Sequence, residues 1–213
     1  MKKLFLTLLL LTMSVKFITA QDLKSVLLDP YYPIDFIGLD FSNSKLIGYQ
    51  GDYEPAYDVV VRFIPEWNEM FYTQQEKFDV ARFLKKYVVH YSTENMISVN
   101  DKIDPSKLIT NSRLEVQQFT SIQLEKMVEN YDFEFKNDVA LVFIINSLNK
   151  KEKQNKLHAV FFNTNSREIL LSTPLVTGPE GFGFRNYWIG SIHNVLKILG
   201  KKEYKKWKKL YKK

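Results

Sequence analysis

The chain contains no cysteine. That absence removes disulfides, thiol catalysis, lipid attachment at an amino-terminal cysteine, and every cysteine-built zinc or iron–sulfur site. The fold must be held by its core alone. Histidine is scarce: His90, His158 and His193 lie far apart, and none has a neighbour at ligand spacing. No H-x-x-x-H, H-E-x-x-H or G-x-S-x-G occurs, and the spacing of a calcium loop is missing. Histidines so dispersed read as structural or surface groups. No metal and no cofactor is expected.

Long hydrophobic runs are missing too, apart from the start. Lys2 and Lys3 precede a largely apolar stretch from Leu4 to Val15, and Ile18-Thr19-Ala20 offers a cleavage site before Gln21. This is the layout of a signal peptide. Lys16 breaks the run short of the ~20 apolar residues that a spanning helix needs. No second stretch of that length follows. The expectation is a soluble mature protein outside the cytoplasm, periplasmic or secreted, without a transmembrane segment.

The body carries no net positive charge. The formal net charge of +6 includes three lysines within residues 1–20 and a net +7 in KKEYKKWKKLYKK, Lys201 to Lys213, which leaves residues 21–200 near −4. The high isoelectric point thus describes a tail, and a specific nucleic-acid groove in the body is not expected. What remains after Ala20 is 193 residues with ordinary apolar content, enough for one domain. We assign residues 1–20 to the signal peptide, 21–200 to a single domain and 201–213 to a lysine-rich tail.

PIDFIGLDF, Pro33 to Phe41, reads as a strand with both faces largely apolar, and Lys45 to Gly48 as a short extended piece. Val60, Phe63, Ile64, Trp67 and Phe71 fall on one helical face, interrupted by Pro65, which predicts a kink or two abutting helices. Asp79 is placed to cap a short helix, and Thr120 with Gln123 forms a capping box. Tyr87 to Tyr91 and Met96 to Val99 read as two strands joined by a polar turn. Val139 to Ile145, Leu157 to Phe162 and Arg167 to Val176 predict a three-strand antiparallel meander. NSLNKKEKQN is read as the first connecting loop and Asn163 to Ser166 as a tight turn. A last helix is predicted from Asn186 to Leu199, stopped by Gly200. The class is α/β: a single domain with a mixed, largely antiparallel sheet covered by helices.

GFGFRNYW, Gly181 to Trp188, is the stretch with most chemical character. It fails as a dinucleotide loop, because Asn186 stands where the third glycine belongs and phenylalanines fill the gaps. No lysine followed by Ser or Thr makes it a phosphate loop. Two readings remain. In one, Phe182, Phe184 and Trp188 anchor the closing helix in the core. In the other, Arg185, Asn186 and Tyr187 face a ligand or partner at a helix amino terminus, with Asp40 from the first strand joining them. Asp35 and Asp40 are five residues apart, so on a regular strand they point to opposite faces unless the strand bulges.

The tail offers a second surface. In a helix, Tyr204, Trp207 and Tyr211 form an aromatic edge, with Leu210 beside them and Lys205, Lys206, Lys208 and Lys209 around it. Such a face suits an anionic membrane surface or a polyanion, and the alternative is a frayed, solvated extension.

The order of elements, with FIGLDFS, VALVFIINSL and HAVFFNTNSREILLS as the matching pieces, resembles small α/β domains of bacterial envelope proteins. Examples are the amino-terminal domain of the Tol-system translocation protein and the related domain of the curli-secretion lipoprotein. GLDFSNSKLIG and GFGFRNYW also look like an uncharacterised family of secreted bacterial proteins. The resemblance implies a non-enzymatic cell-envelope protein that presents a surface to partner proteins. The chain departs from those domains in lacking a lipid-attachment cysteine and any propeller or pore segment after the domain. Fold-level likeness transfers no activity.

Overall fold

The computed structural model describes residues 23–112 and 118–211. The proposed signal peptide and the last two tail lysines lie outside the described residues. Seven strands form one mixed sheet: β1 (Ile34–Asp40), β2 (Lys45–Ile47), β3 (Val89–Tyr91), β4 (Ile109–Thr110), β5 (Val139–Asn149), β6 (Gln154–Asn163) and β7 (Ile169–Thr177). The meander β5–β6–β7 is antiparallel as expected. The rest corrects the expectation of a largely antiparallel sheet. β1 is parallel to β3 and β5, and β2 is parallel to β4 and β5. β1 and β2 lie end to end along one edge of β5, opposite Ala140–Ile144 and Ser147–Asn149 respectively. Parallel pairing follows from connection length, since the links from β1 to β3 and from β3 to β5 carry helices and so can cross over the sheet.

Helices flank both faces. After a helical segment over 23–28 (α1), α2 (Ala56–Asp58) passes through a π-helical turn, Val59–Phe63, into α3 (Ile64–Thr73). The wide turn precedes Pro65, whose missing N–H falls in the first turn of α3. Asp79 caps α4 (Val80–Leu84) by accepting from the Arg82 N–H at 2.9 Å, and Thr120 and Gln123 form the predicted capping box of α6 (Ser121–Glu129). Met96 to Val99 is not a strand. It lies in α5 (Thr93–Asn100), which buries Thr93, Met96 and Asn100 at helical spacing. NSLN belongs to β5, because β2 and β6 both pair with it there.

The closing helix also differs. α7 (Phe184–Ile198) does not stop at Gly200 but continues through a second π-helical turn, Leu199–Glu203, into α8 (Tyr204–Tyr211). Gly200 serves a close approach, since a Cβ there would lie 2.8 Å from the Phe83 carbonyl oxygen of α4. Tyr204 and Trp207 are buried, so the tail is the last part of the core and not a frayed end. The larger core cluster joins α1, α3, α4, α7 and α8 to one sheet face, and a smaller one joins α5 and α6 to the other.

β1 bulges between Phe36 and Gly38, where Gly38 takes φ 104°. The Leu39 N–H donates to Asn68 Oδ1 at 2.8 Å, and the Leu39 carbonyl accepts from Asn68 Nδ2 at 3.2 Å and Asn100 Nδ2 at 2.8 Å. Buried asparagines thus supply hydrogen bonds at the irregularity. The bulge also puts Asp35 and Asp40 on one face, opposite Ala140 and Ile144 of the smaller core. At four residues along a strand they remain ~13 Å apart, too far for a carboxylate pair.

Lys86 is only 5% exposed, and its Nζ donates to the Asp29 carbonyl at 2.7 Å. Burial chiefly lowers its pKa from 10.5 to about 8, with Lys208 adding repulsion and Asp29 opposing the shift. Between pH 8 and 10 the unfolded chain therefore binds more protons at this site than the folded one, and stability rises with pH. Above pH 10 the unfolded tyrosines ionise while Tyr72, pushed up to about 12, stays protonated in the fold, so stability falls again. Urea unfolding across pH 7–10 should show a rise of about 1–3 kcal/mol in wild type that is lost in Lys86→Met. Equal slopes for the two proteins would remove Lys86 as the cause.

Candidate functional site

The Gly181–Trp188 stretch lies at the amino end of α7. The loop before it is seated on that helix: the Glu180 N–H donates to the Tyr187 carbonyl at 3.0 Å, and Asn194 Nδ2 donates to the Gly178 carbonyl at 3.1 Å. Gly190 permits the approach, because a Cβ there would lie 1.8 Å from the Glu180 carbonyl oxygen. Gly181 (φ 126°) and Gly183 (φ 76°) then turn the chain sharply on either side of Phe182.

The aromatic residues divide. Phe184 packs with Phe63, Trp67 and Tyr53, with ring centroids 4.8, 5.9 and 6.3 Å away. Trp188 is buried and stacks on Tyr53 at 6.0 Å. The Trp67 indole N–H donates to the Arg185 carbonyl at 3.0 Å. Phe182 is different. It is 94% exposed, which corrects its expected place in the core. The ring contacts of half-buried Phe184 already hold the helix down, and the turns at both glycines carry the intervening ring outward.

Two clefts open beside this loop, and Phe182 lines the first of them. One, of about 400 Å³, is lined by Glu54, Arg62, Glu66 and residues 182–186. The other, of about 330 Å³, lies between Asp52, Tyr53, Lys150 and Tyr187. Both are open and share Glu54, Gly183 and Phe184. The Arg185 guanidinium is 3.7 Å from Glu66, and Arg62 lies over the Phe63 ring at 4.1 Å. Lys150 Nζ stands 4.6 Å from the centre of the Tyr187 ring. Tyr53 underlies the second cleft, its hydroxyl between the Ile47 and Leu148 carbonyls at 2.9 and 2.8 Å, and burial pushes its pKa up. A hydroxyl so held is a structural post and not a proton donor near neutral pH.

Three of the four residues grouped from sequence are adjacent here: Arg185, Asn186 and Tyr187. Asp40 is not among them. It is 1% exposed, and it accepts from the buried Tyr131 hydroxyl at 2.6 Å and from the Ser42 N–H at 2.7 Å. Its neighbours are those of the smaller core, on the face away from α7. The sequence reading also missed Arg62, Glu66 and Lys150. Arg62 and Glu66 were within reach, since they are four apart on the polar side of a helix whose apolar stripe was legible. Lys150 required knowing that the β5–β6 turn comes back to α7.

The histidines stay dispersed. His90 Nδ1 is 3.2 Å from Asp35, His158 pairs with Ser172, and His193 packs near Phe78 and Phe83. Burial lowers the pKa of His158, and burial followed by Lys197 lowers that of His193. Among the described residues no group of three His, Asp or Glu could hold a metal, and no helix is long and apolar enough to cross a membrane. In the tail, Lys205, Lys206 and Lys209 are exposed, Lys208 and Tyr211 half-buried, while Trp207 is 3% exposed with its ring 5.8 Å from Phe161. The aromatic edge expected at a membrane therefore faces the core instead. Compared with protein-family models, with curated proteins and with solved structures, the chain matches none.

Proposed function

We propose that the chain is an exported, non-enzymatic cell-envelope protein that docks a protein partner through the loop carrying Phe182. The observation behind this reading is a nearly fully exposed phenylalanine held between two turned glycines on a loop that is otherwise tied to α7. An isolated exposed apolar side chain needs no explanation, but one lining a cleft together with two arginines has the make-up of an interface anchor. Export rests on the leader sequence, and the envelope setting on the resemblance of the element order. A small-ligand site is the second reading. The 400 Å³ cleft favours it, being at the lower end of ligand-pocket volumes.

Cross-linking pull-down from the native envelope tests the proposal with wild-type and Phe182→Ser baits. The serine variant should melt within about 1 °C of wild type, because the ring makes little contact with its own chain. It should lose at least tenfold of the captured partner, as expected for a central anchor. Equal capture by both baits would reject the docking role. Turnover or tight binding of a small molecule that disappears with Arg185→Ala would establish the second reading instead.

A further inference from the structure

The far end of α7 leads to a face of another kind. α7 is ~22 Å long, so what lies beyond it is well removed from Phe182. There α8 has a set rotation: the Tyr204 hydroxyl donates to the Leu27 carbonyl at 3.0 Å, and Trp207 meets Phe161 edge-on. With those two side chains inward, lysines are left outward as a ridge. Other cations stand near it. Lys208 is close enough to Lys86 to repel it, and Lys77, Arg82 and Lys197 surround His193. The acids in this region include Glu203, buried beside Lys202 and Lys206, Asp29 beside Lys86, Glu180 beside His193, and Glu76 and Asp79 beside Arg82. Next to Lys86, the Tyr31 and Tyr87 rings meet at a tilt with centroids 4.7 Å apart and are both exposed, as is Leu210 on α8.

We infer that this face docks on the surface of an anionic lipid bilayer. The ridge is the outside of a helix, convex, and carries lysine without arginine from Lys201 to Lys213. Lysine supplies diffuse point charge, whereas bidentate phosphate readout in a nucleic-acid groove favours arginine. Exposed tyrosines beside it suit the headgroup level. This inference concerns a different face from the Phe182 loop and stands or falls without it.

Vesicle sedimentation tests it, using the chain from Gln21, since every described core contact lies within residues 23–211. Vesicles of phosphatidylglycerol with phosphatidylcholine should bind it, phosphatidylcholine alone should not, and added salt should weaken the binding. Lys201→Gln/Lys205→Gln/Lys209→Gln removes three exposed charges without touching the lysines beside Glu203. At about fivefold per lysine, partition should fall on the order of 10²-fold with the melting temperature unchanged. Equal sedimentation of variant and wild type would overturn the inference. So would binding to a DNA duplex at the same salt without binding to the vesicles, which would assign the face to nucleic acid.

Discussion

Gly190→Ala is expected to destabilise the protein by about 2–3 kcal/mol and to release the loop that displays Phe182. The added methyl would sit 1.8 Å from the Glu180 carbonyl oxygen and 2.7 Å from its carbon. Both are backbone atoms, so no rotamer change relieves the overlap. The loop must withdraw by ~1.5 Å to restore an ordinary C···O contact of ~3.3 Å. Withdrawal strains the Glu180–Tyr187 and Asn194–Gly178 hydrogen bonds that seat it. Alanine favours the helix interior by ~1 kcal/mol over glycine, which offsets part of the loss. For a chain of this size the melting temperature should drop by roughly 4–12 °C. Limited proteolysis should cut within residues 178–183 sooner than in wild type. A variant that melts within 1 °C of wild type, with an equally resistant loop, would show that the seat on α7 does not constrain the loop.

Asp35→Ala should cost more, about 3–5 kcal/mol. The carboxylate is 0% exposed and accepts from the Lys136 N–H at 2.7 Å, the Asn137 N–H at 3.2 Å and Asn137 Nδ2 at 2.6 Å, with His90 Nδ1 at 3.2 Å. It ties the segment leading into β5 to the first residues of β1. Alanine leaves those backbone donors without their acceptor at a part-buried site, and each such orphan costs ~1–3 kcal/mol. His90 is different: its side chain is 39% exposed, so His90→Ala should cost no more than about 1 kcal/mol. Urea midpoints of the two variants decide between a structural clasp and an acid–base dyad. If His90→Ala proves as damaging as Asp35→Ala, or if either abolishes a turnover that wild type performs, the clasp account is wrong.

The meander, the capped helices α4 and α6 and the apolar stripe of α3 were legible because each depends on residues near in sequence. Alternation, capping boxes and helical spacing act over one or two turns of chain. The errors share an opposite cause. Met96 to Val99 has strand-like composition, yet as a helix it lets Met96 and Asn100 meet the bulged β1, a contact made across some sixty residues of chain. Gly200 has the character of a helix stop, but its small size serves the neighbouring α4 backbone. Trp207 sits in a lysine-rich stretch that suggests an outward face, and Phe161 takes it inward.

By itself the sequence determined the α/β class, the meander, the basic end and the lack of cysteine chemistry, since composition and short-range periodicity are properties of the string. Only the tertiary structure decided that β1 to β5 pair in parallel, that Phe182 points out while Trp207 points in, and that Asp40 is sealed away from Arg185. Those outcomes turn on which distant backbone comes near, and a side chain's exposure is set by its neighbours in space.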